Sequence, residues 1–160
     1  MKKAMIDTSI ILEPFTLKRR GSNYKQRCLS LLRNDIVDFK ERFLPVISQS
    51  ILGELYSIIN SEKKISWKKE TMNEIINEFL KNCLIVGITR ESIDMANCIL
   101  KSDERLDPLD ILHLSCAICN DCETFMTLDS ELIKSEFLRK FVKEREFYLT
   151  PFNISKNEDR

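Results

Sequence analysis

The chain has 160 residues, 43% hydrophobic and 31% charged, with only 3 Gly and 4 Pro. That balance fits one folded domain, excludes a disordered chain, and argues against an all-β sandwich built on tight turns. Lys and Arg total 25 and Asp and Glu total 25; this neutrality counts mildly against a nucleic-acid binder, although an acidic site can offset basic patches in the sum.

Lys3 to Ile6 reads as a short buried strand. Asp7-Thr8-Ser9 breaks it and can cap a helical turn through Leu12, ended by Pro14. Asn23 to Arg33 carries Cys28, Leu29, Leu31 and Leu32 at helical spacing. Phe43 to Ile47 reads as a second strand, in which Pro45 must sit where no partner needs its N–H. Ser48 or Ser50 can N-cap a helix from Ile51 to Asn60, with Leu52, Leu55, Tyr56 and Ile59 on one face. Trp67, Met72, Ile75, Ile76, Phe79 and Leu80 predict a third helix over Ser66 to Lys81.

Cys83 to Ile88 is β-rich and reads as a strand, and Thr89 can N-cap a helix from about Glu91 to Leu100. Asp107-Pro108 is a strong helix start, an N-cap followed by proline at N1. The helix it opens, to about Asp121, is apolar nearly all round and therefore buried. Thr124 to Thr127 reads as a strand, Ser130 to Ile133 as a short helix and Phe147 to Leu149 as the last strand. Alternating strands and helices imply parallel βαβ units, right-handed crossovers and a three-layer α/β sandwich. The domain is expected to span 1–152, and the polar tail, 153–160, to fray.

No apolar run approaches a membrane span, and Asp7 interrupts the start before a signal-peptide apolar region could form, so a cytoplasmic protein is expected. Lys18-Arg19-Arg20 and Lys63-Lys64 with Lys68-Lys69 could form basic patches, though solvated surface is the ordinary reading. Cys116-x-x-Cys119-x-x-Cys122 has no nearby fourth ligand and sits in a helical stretch. Buried thiols in a reducing compartment explain it better than zinc or an iron–sulfur cluster.

Four acidic motifs carry the functional reading. Asp7 follows the first strand and Asp129 follows the Thr124–Thr127 strand. Glu54 lies about one turn into the helix after the second strand, and Asp110 occupies N3 of the helix opened by Asp107. Ligands of open α/β sheets bind beyond the carboxyl ends of the strands, where all four can converge. Converged carboxylates without paired cations repel one another and raise at least one pKa, so such a site suits a divalent metal. Mg2+ and Mn2+ take oxygen ligands, and one or two such ions can neutralise a phosphate and activate a water for phosphodiester hydrolysis. Singly, each acid could be no more than a cap or a solvated helix position.

The ordered set resembles a PIN-domain nuclease, particularly toxin nucleases of the VapC type. Ile6-Asp7-Thr8-Ser9-Ile10-Ile11 is similar to that family's opening strand-and-aspartate motif. Ile47-Ser48-Gln49-Ser50-Ile51-Leu52-Gly53-Glu54-Leu55 resembles its second, Asp110-Ile111-Leu112-His113-Leu114-Ser115-Cys116-Ala117 its third, and Phe125-Met126-Thr127-Leu128-Asp129 its fourth. The resemblance implies a parallel sheet of four to five strands in the order 3-2-1-4-5, flanked by helices. It implies Mg2+- or Mn2+-dependent endoribonuclease cleavage leaving 5′-phosphate and 3′-hydroxyl ends. It also implies a homodimer and, for a toxin, a cognate antitoxin. Carried over, Asp7, Glu54, Asp110 and Asp129 would be the metal-binding, catalytic acids, with Asp7 and Asp110 on the principal ion. Thr127, and Ser9 with it, would hold an acid or a coordinated water by hydrogen bond. Asp107 is an additional acid that departs from the common pattern and can serve as the N-cap alone.

His113, the single histidine, shares a helical face with Asp110. It could act as a general base, but metal-activated water needs no imidazole, so it reads as a local packing or hydrogen-bonding residue. Two rival functions remain in view. A PIN-like module that binds RNA or protein with feeble catalysis would fit the zero net charge. A phosphohydrolase would want Asp-x-Asp after the first strand, where this chain has Asp7-Thr8-Ser9. The apolar stripes of Asn23–Arg33 and Ser66–Lys81 are candidate partner surfaces, with core packing as the equal alternative.

Overall fold

The computed structural model describes residues 1–17, 22–61 and 65–152. Lys18-Arg19-Arg20, Lys63-Lys64 and the expected tail at 153–160 lie outside the described residues. Five strands form one parallel sheet: β1 (Lys2–Ile6), β2 (Phe43–Ser48), β3 (Leu84–Val86), β4 (Thr124–Thr127) and β5 (Tyr148–Pro151), in the order β3-β2-β1-β4-β5. The fold is the α/β sandwich read from the sequence, with the strand order that the resemblance implied.

β1 lies at the centre because it is apolar on both faces. Ala4, Met5 and Ile6 are fully buried, and the strand pairs with β2 on one side and β4 on the other. A parallel strand covered on both faces has no need of alternating polarity. Pro45 sits opposite Ala4 of β1, and β3 joins β2 only from Val46 onward. At Pro45, therefore, one side of the ladder has no partner to miss an N–H.

The helices among the described residues are α1 (Thr8–Leu12), α2 (Ser22–Leu32), α3 (Val37–Arg42), α4 (Gln49–Asn60), α5 (Lys69–Lys81), α6 (Arg90–Ser102), α7 (Pro108–Cys119), α8 (Ser130–Lys134) and α9 (Glu136–Lys143), with a 3-10 turn at Glu13–Phe15 after α1. α7 is the buried helix expected: Ile111, Leu114, Cys116 and Ala117 are fully enclosed, and it packs on α6, α4, β2 and β4. Phe15 and Phe125 are the largest fully buried side chains, each contributing roughly 1.5–3 kcal/mol of burial free energy. None of these helices is long and apolar enough to cross a membrane.

Several expected boundaries move for local reasons. α5 begins at Lys69, not Ser66, because Ile65 bridges Thr16 and the Ser66 N–H donates to Phe15 O at 2.8 Å. β3 is three residues long because its partner β2 ends at Ser48, whose hydroxyl turns to N-cap α4 by accepting from the Ile51 N–H at 3.2 Å. α7 stops at Cys119, short of Asp121: Asp121 adopts φ 55°, and the Cys122 N–H closes the end on Ala117 O. β5 starts one residue late because the Phe147 N–H closes the end of α9 on Val142 O. Tyr56 is 74% exposed and leaves the face assigned to it.

α3 and α9 were not expected. α3 has only Phe39 buried and no side-chain cap; α9 buries Leu138 and Val142 and is N-capped by Ser135. The apolar stripes of α2 and α5 are occupied in the core through Cys28, Leu31, Leu32, Met72, Ile76 and Phe79. These side chains pack in the core, and Ile75 and Leu80 are half-buried beside them.

Candidate metal centre

β1 delivers Asp7 to the carboxyl edge of the sheet. The ladder continues one residue past the strand, with the Asp7 N–H donating to Met126 O of β4 at 3.0 Å. Asp7 stands at the N-cap of α1, yet its side chain makes no capping bond. Instead Oδ2 accepts two hydroxyls, Ser9 Oγ at 2.5 Å and Thr127 Oγ1 at 2.7 Å. Each hydroxyl is itself an acceptor: Ser9 from the Leu128 N–H at 3.0 Å, Thr127 from the Asp129 N–H at 2.9 Å. The two side chains lock Asp7 to the loop after β4 and leave Oδ1 facing inward. Ser9 and Thr127 therefore both hold Asp7 by hydrogen bond.

Asp107 accepts the Leu109 N–H at 2.8 Å and the Asp110 N–H at 3.3 Å, so it is the N-cap of α7. With Pro108 at N1, Asp110 falls at N3 and points its carboxyl at the same edge. Burial, then the charges of Asp7, Asp129 and Asp107, push the Asp110 pKa up to about 8. A carboxyl in that state marks uncompensated negative charge.

Asp7 moves the other way. Burial raises its pKa, but the His113 ring and the Ser9 and Thr127 hydroxyls outweigh burial and hold it below the usual carboxylate value. His113 Nδ1 stands 3.7 Å from Asp7 Oδ1, beyond hydrogen-bond range, so the ring acts on Asp7 as a neighbouring polar group.

His113 is fully buried one turn deeper in α7, and neither ring nitrogen has a hydrogen-bond partner. Its Nδ1 is also 3.9 Å from Glu54 Oε2, a buried oxygen likewise without a hydrogen bond. One donor atom each from Asp7, Asp110 and His113 lies within 4.8 Å of the others.

The four sequence-predicted acids therefore share one neighbourhood without forming an equal ring. Asp7 and Asp110 meet at the centre. Glu54 borders it through His113. Asp129 is close enough to Asp110 to raise its pKa, but one of its oxygens is engaged as the N-cap of α8, accepting the Glu131 N–H at 2.7 Å. Among the described residues no Lys or Arg pairs with any of the four. Arg105, the one base beside the third motif, is paired with Asp103 at 2.8 and 3.0 Å.

Two carboxylates, an imidazole and a nearby glutamate, all lacking cationic partners, fit a divalent cation. The place of His113 at the centre was missed; the signal for it was the Asp110-x-x-His113 spacing on a buried helix. The cysteines offer no rival centre. All six are free, burial raises the pKa of Cys116, Cys119 and Cys122, the last to about 12, and they belong to no metal-competent cluster among the described residues.

The family model described as PIN domain matches residues 4–138. Solved structures share the architecture at low identity. A chain of VapBC2 from Rickettsia felis, bound to a DNA fragment from their promoter, matches with a TM-score of 0.63 at 17% identity, covering 94% of this chain and 99% of that one. A chain of VapBC-1 from nontypeable Haemophilus influenzae gives 0.60 at 12%, covering 96% and 99%. A chain of a toxin–antitoxin complex from Klebsiella pneumoniae gives 0.52 at 16%, covering 84% and 93%. No curated protein matches the chain.

Proposed function

The chain belongs to the PIN domain family, and from that premise we propose that it is a divalent-metal-dependent endoribonuclease acting as the toxin of a toxin–antitoxin pair. The observation that carries the reading is the meeting of Asp7 and Asp110, far apart in the sequence, with no basic side chain among the described residues to neutralise them. The likeness to a chain of a toxin–antitoxin complex supports the toxin role and an antitoxin partner. The same reading takes 1–152 as one domain, expects a homodimer in the cytoplasm, and takes Mg2+ or Mn2+ as the cofactor.

In this scheme Asp7 and Asp110 would hold the principal ion, with Glu54 and Asp129 as further acids of the site. A bound cation would supply Lewis-acid chemistry at the scissile phosphate and a lowered pKa for a water. The protein's own part is positioning. Ser9 and Thr127 fix Asp7 Oδ2, so that only Oδ1 is free to engage a cation. Glu54, with 23% of its side chain exposed, reaches both the buried centre and solvent. In this reading it would orient the attacking water or accept its proton.

Purified protein should shorten a labelled single-stranded RNA with Mn2+ or Mg2+ and stop in EDTA. Asp7→Asn should abolish cleavage while the fold persists. Full activity in EDTA, or an equally active variant, refutes the assignment. The rival reading, a catalytically weak binding module, is favoured by the zero net charge and the pairing of Arg105 away from the site. It predicts RNA retained at full length under the same titration.

A further inference from the structure

We propose that His113 gives the cation site a nitrogen donor, so that this chain takes Mn2+ in preference to Mg2+. The inference rests on the metal-dependent reading above and adds what the acids alone do not specify. The ring lies at the meeting point of two acids, with Nδ1 3.7 Å from Asp7 Oδ1 and 3.9 Å from Glu54 Oε2. Donor atoms held at roughly 2.1 Å by one ion can stand up to about 4.2 Å apart, so the His113–Asp7 separation suits a shared cation.

Both ring nitrogens are buried and unpartnered. A histidine kept only for packing would bond at least one nitrogen to a carbonyl or hydroxyl, because an enclosed polar group without a partner is costly. Here the nitrogen facing the carboxylates has no such partner, and no Lys or Arg among the described residues competes for the acids. Asp7 and Asp110 as carboxylates, with a neutral imidazole, would balance a divalent charge. Glu54 and Asp129 would then be left for water and substrate.

The donor set decides the ion. Mg2+ demands oxygen ligands and keeps several waters, whereas imidazole suits transition ions. Replacing one oxygen donor by nitrogen therefore moves preference away from Mg2+. In this arrangement Nδ1 carries the lone pair and Nε2 the proton.

The test is pulsed electron paramagnetic resonance on the full chain loaded with Mn2+, together with calorimetric titration by Mn2+ and by Mg2+. The wild type should show a nitrogen nucleus coupled directly to the ion. In His113→Asn the coupling should vanish and Mn2+ affinity should fall about tenfold or more, with Mg2+ affinity changing much less. His113→Gln provides a second variant should the first fold poorly, and the wild-type spectrum stands without either. Tight Mn2+ binding with no coordinated nitrogen, coupling that survives the substitution, or an unchanged Mn2+-to-Mg2+ ratio each overturns the proposal while leaving the nuclease reading intact. Failure to bind either ion overturns both.

Discussion

Replacing Asp110 by Asn tests whether the acids repel one another in the metal-free protein. The carboxyl is driven from an ordinary value of 3.8 up to about 8, first by burial and then by Asp7, Asp129 and Asp107. Below the unfolded value both states are protonated and nothing is lost. As pH rises from there toward about 8, the unfolded chain gives up its proton first, and stability falls by about 1.4 kcal/mol per pH unit. At neutral pH this sets a ceiling near 4 kcal/mol, about 3.2 pH units at that slope. Asp110 is only half-buried, so solvent screening reduces the penalty to about 1–2 kcal/mol.

Asp110→Asn should therefore be more stable than wild type in EDTA at about pH 8, by a melting shift of roughly 3–6 °C for a chain of this size. The gap should close near pH 4, where the wild-type carboxyl is protonated. Saturating Mn2+ should reverse the order, since an ion at about 100 times its Kd stabilises the wild type by about 2.7 kcal/mol. Differential scanning calorimetry across pH, with and without the ion, reads all of this. A variant no more stable than wild type at high pH, or a gap that ignores pH, would show that the acids are not in electrostatic conflict.

Thr127→Val removes a hydroxyl that serves both Asp7 Oδ2 and the Asp129 N–H. It should cost about 1–3 kcal/mol in urea unfolding and weaken Mn2+ binding about 10–100-fold by calorimetry. Thr89→Ala breaks the capping box in which Thr89 and Ser92 exchange bonds at 3.2 and 3.0 Å. It should cost about 1 kcal/mol in the same unfolding assay and leave cation affinity unchanged, because α6 supplies no site residue. Cysteine alkylation followed by mass spectrometry should label exposed Cys98 well before Cys83 and Cys122. Burial holds both of the latter thiols at a pKa of about 12 and starves them of thiolate.

The parts of the fold that could be read in the sequence are those where one residue type has one physical use. Asp107-Pro108 fixed the start of α7, and the run Ala4-Met5-Ile6 could only be an interior strand. α3 escaped because a six-residue helix with Phe39 as its one buried side chain has almost no period to detect. α9 was legible in principle: Ser135 precedes Phe137, Leu138, Phe141 and Val142 at helical spacing. The stripe of α5 was visible, but the sequence could not say which body it packs on, since a core and a partner ask for the same residues.

The acids were legible for a different reason: each stands where a strand or helix begins or ends. Their unequal roles were not. That Asp129 spends an oxygen on the Glu131 N–H, and that a ring comes between Asp7 and Glu54, depends on where α7 lies against α4 and the sheet. Only packing decides that. His113 looked like a core residue because it is one. Its chemistry comes from what the core places beside it.

The hydroxyl that anchors Asp7 comes from a residue 120 positions later. β1 is synthesised before β4, yet it becomes an interior strand only when β4 slides in beside it. A growing chain on the ribosome therefore holds Asp7 on an open edge, with Thr127 and Asp110 both unavailable until the chain has grown past β4. The acidic centre thus stays unassembled during synthesis, and forms only once both flanks of β1 are filled.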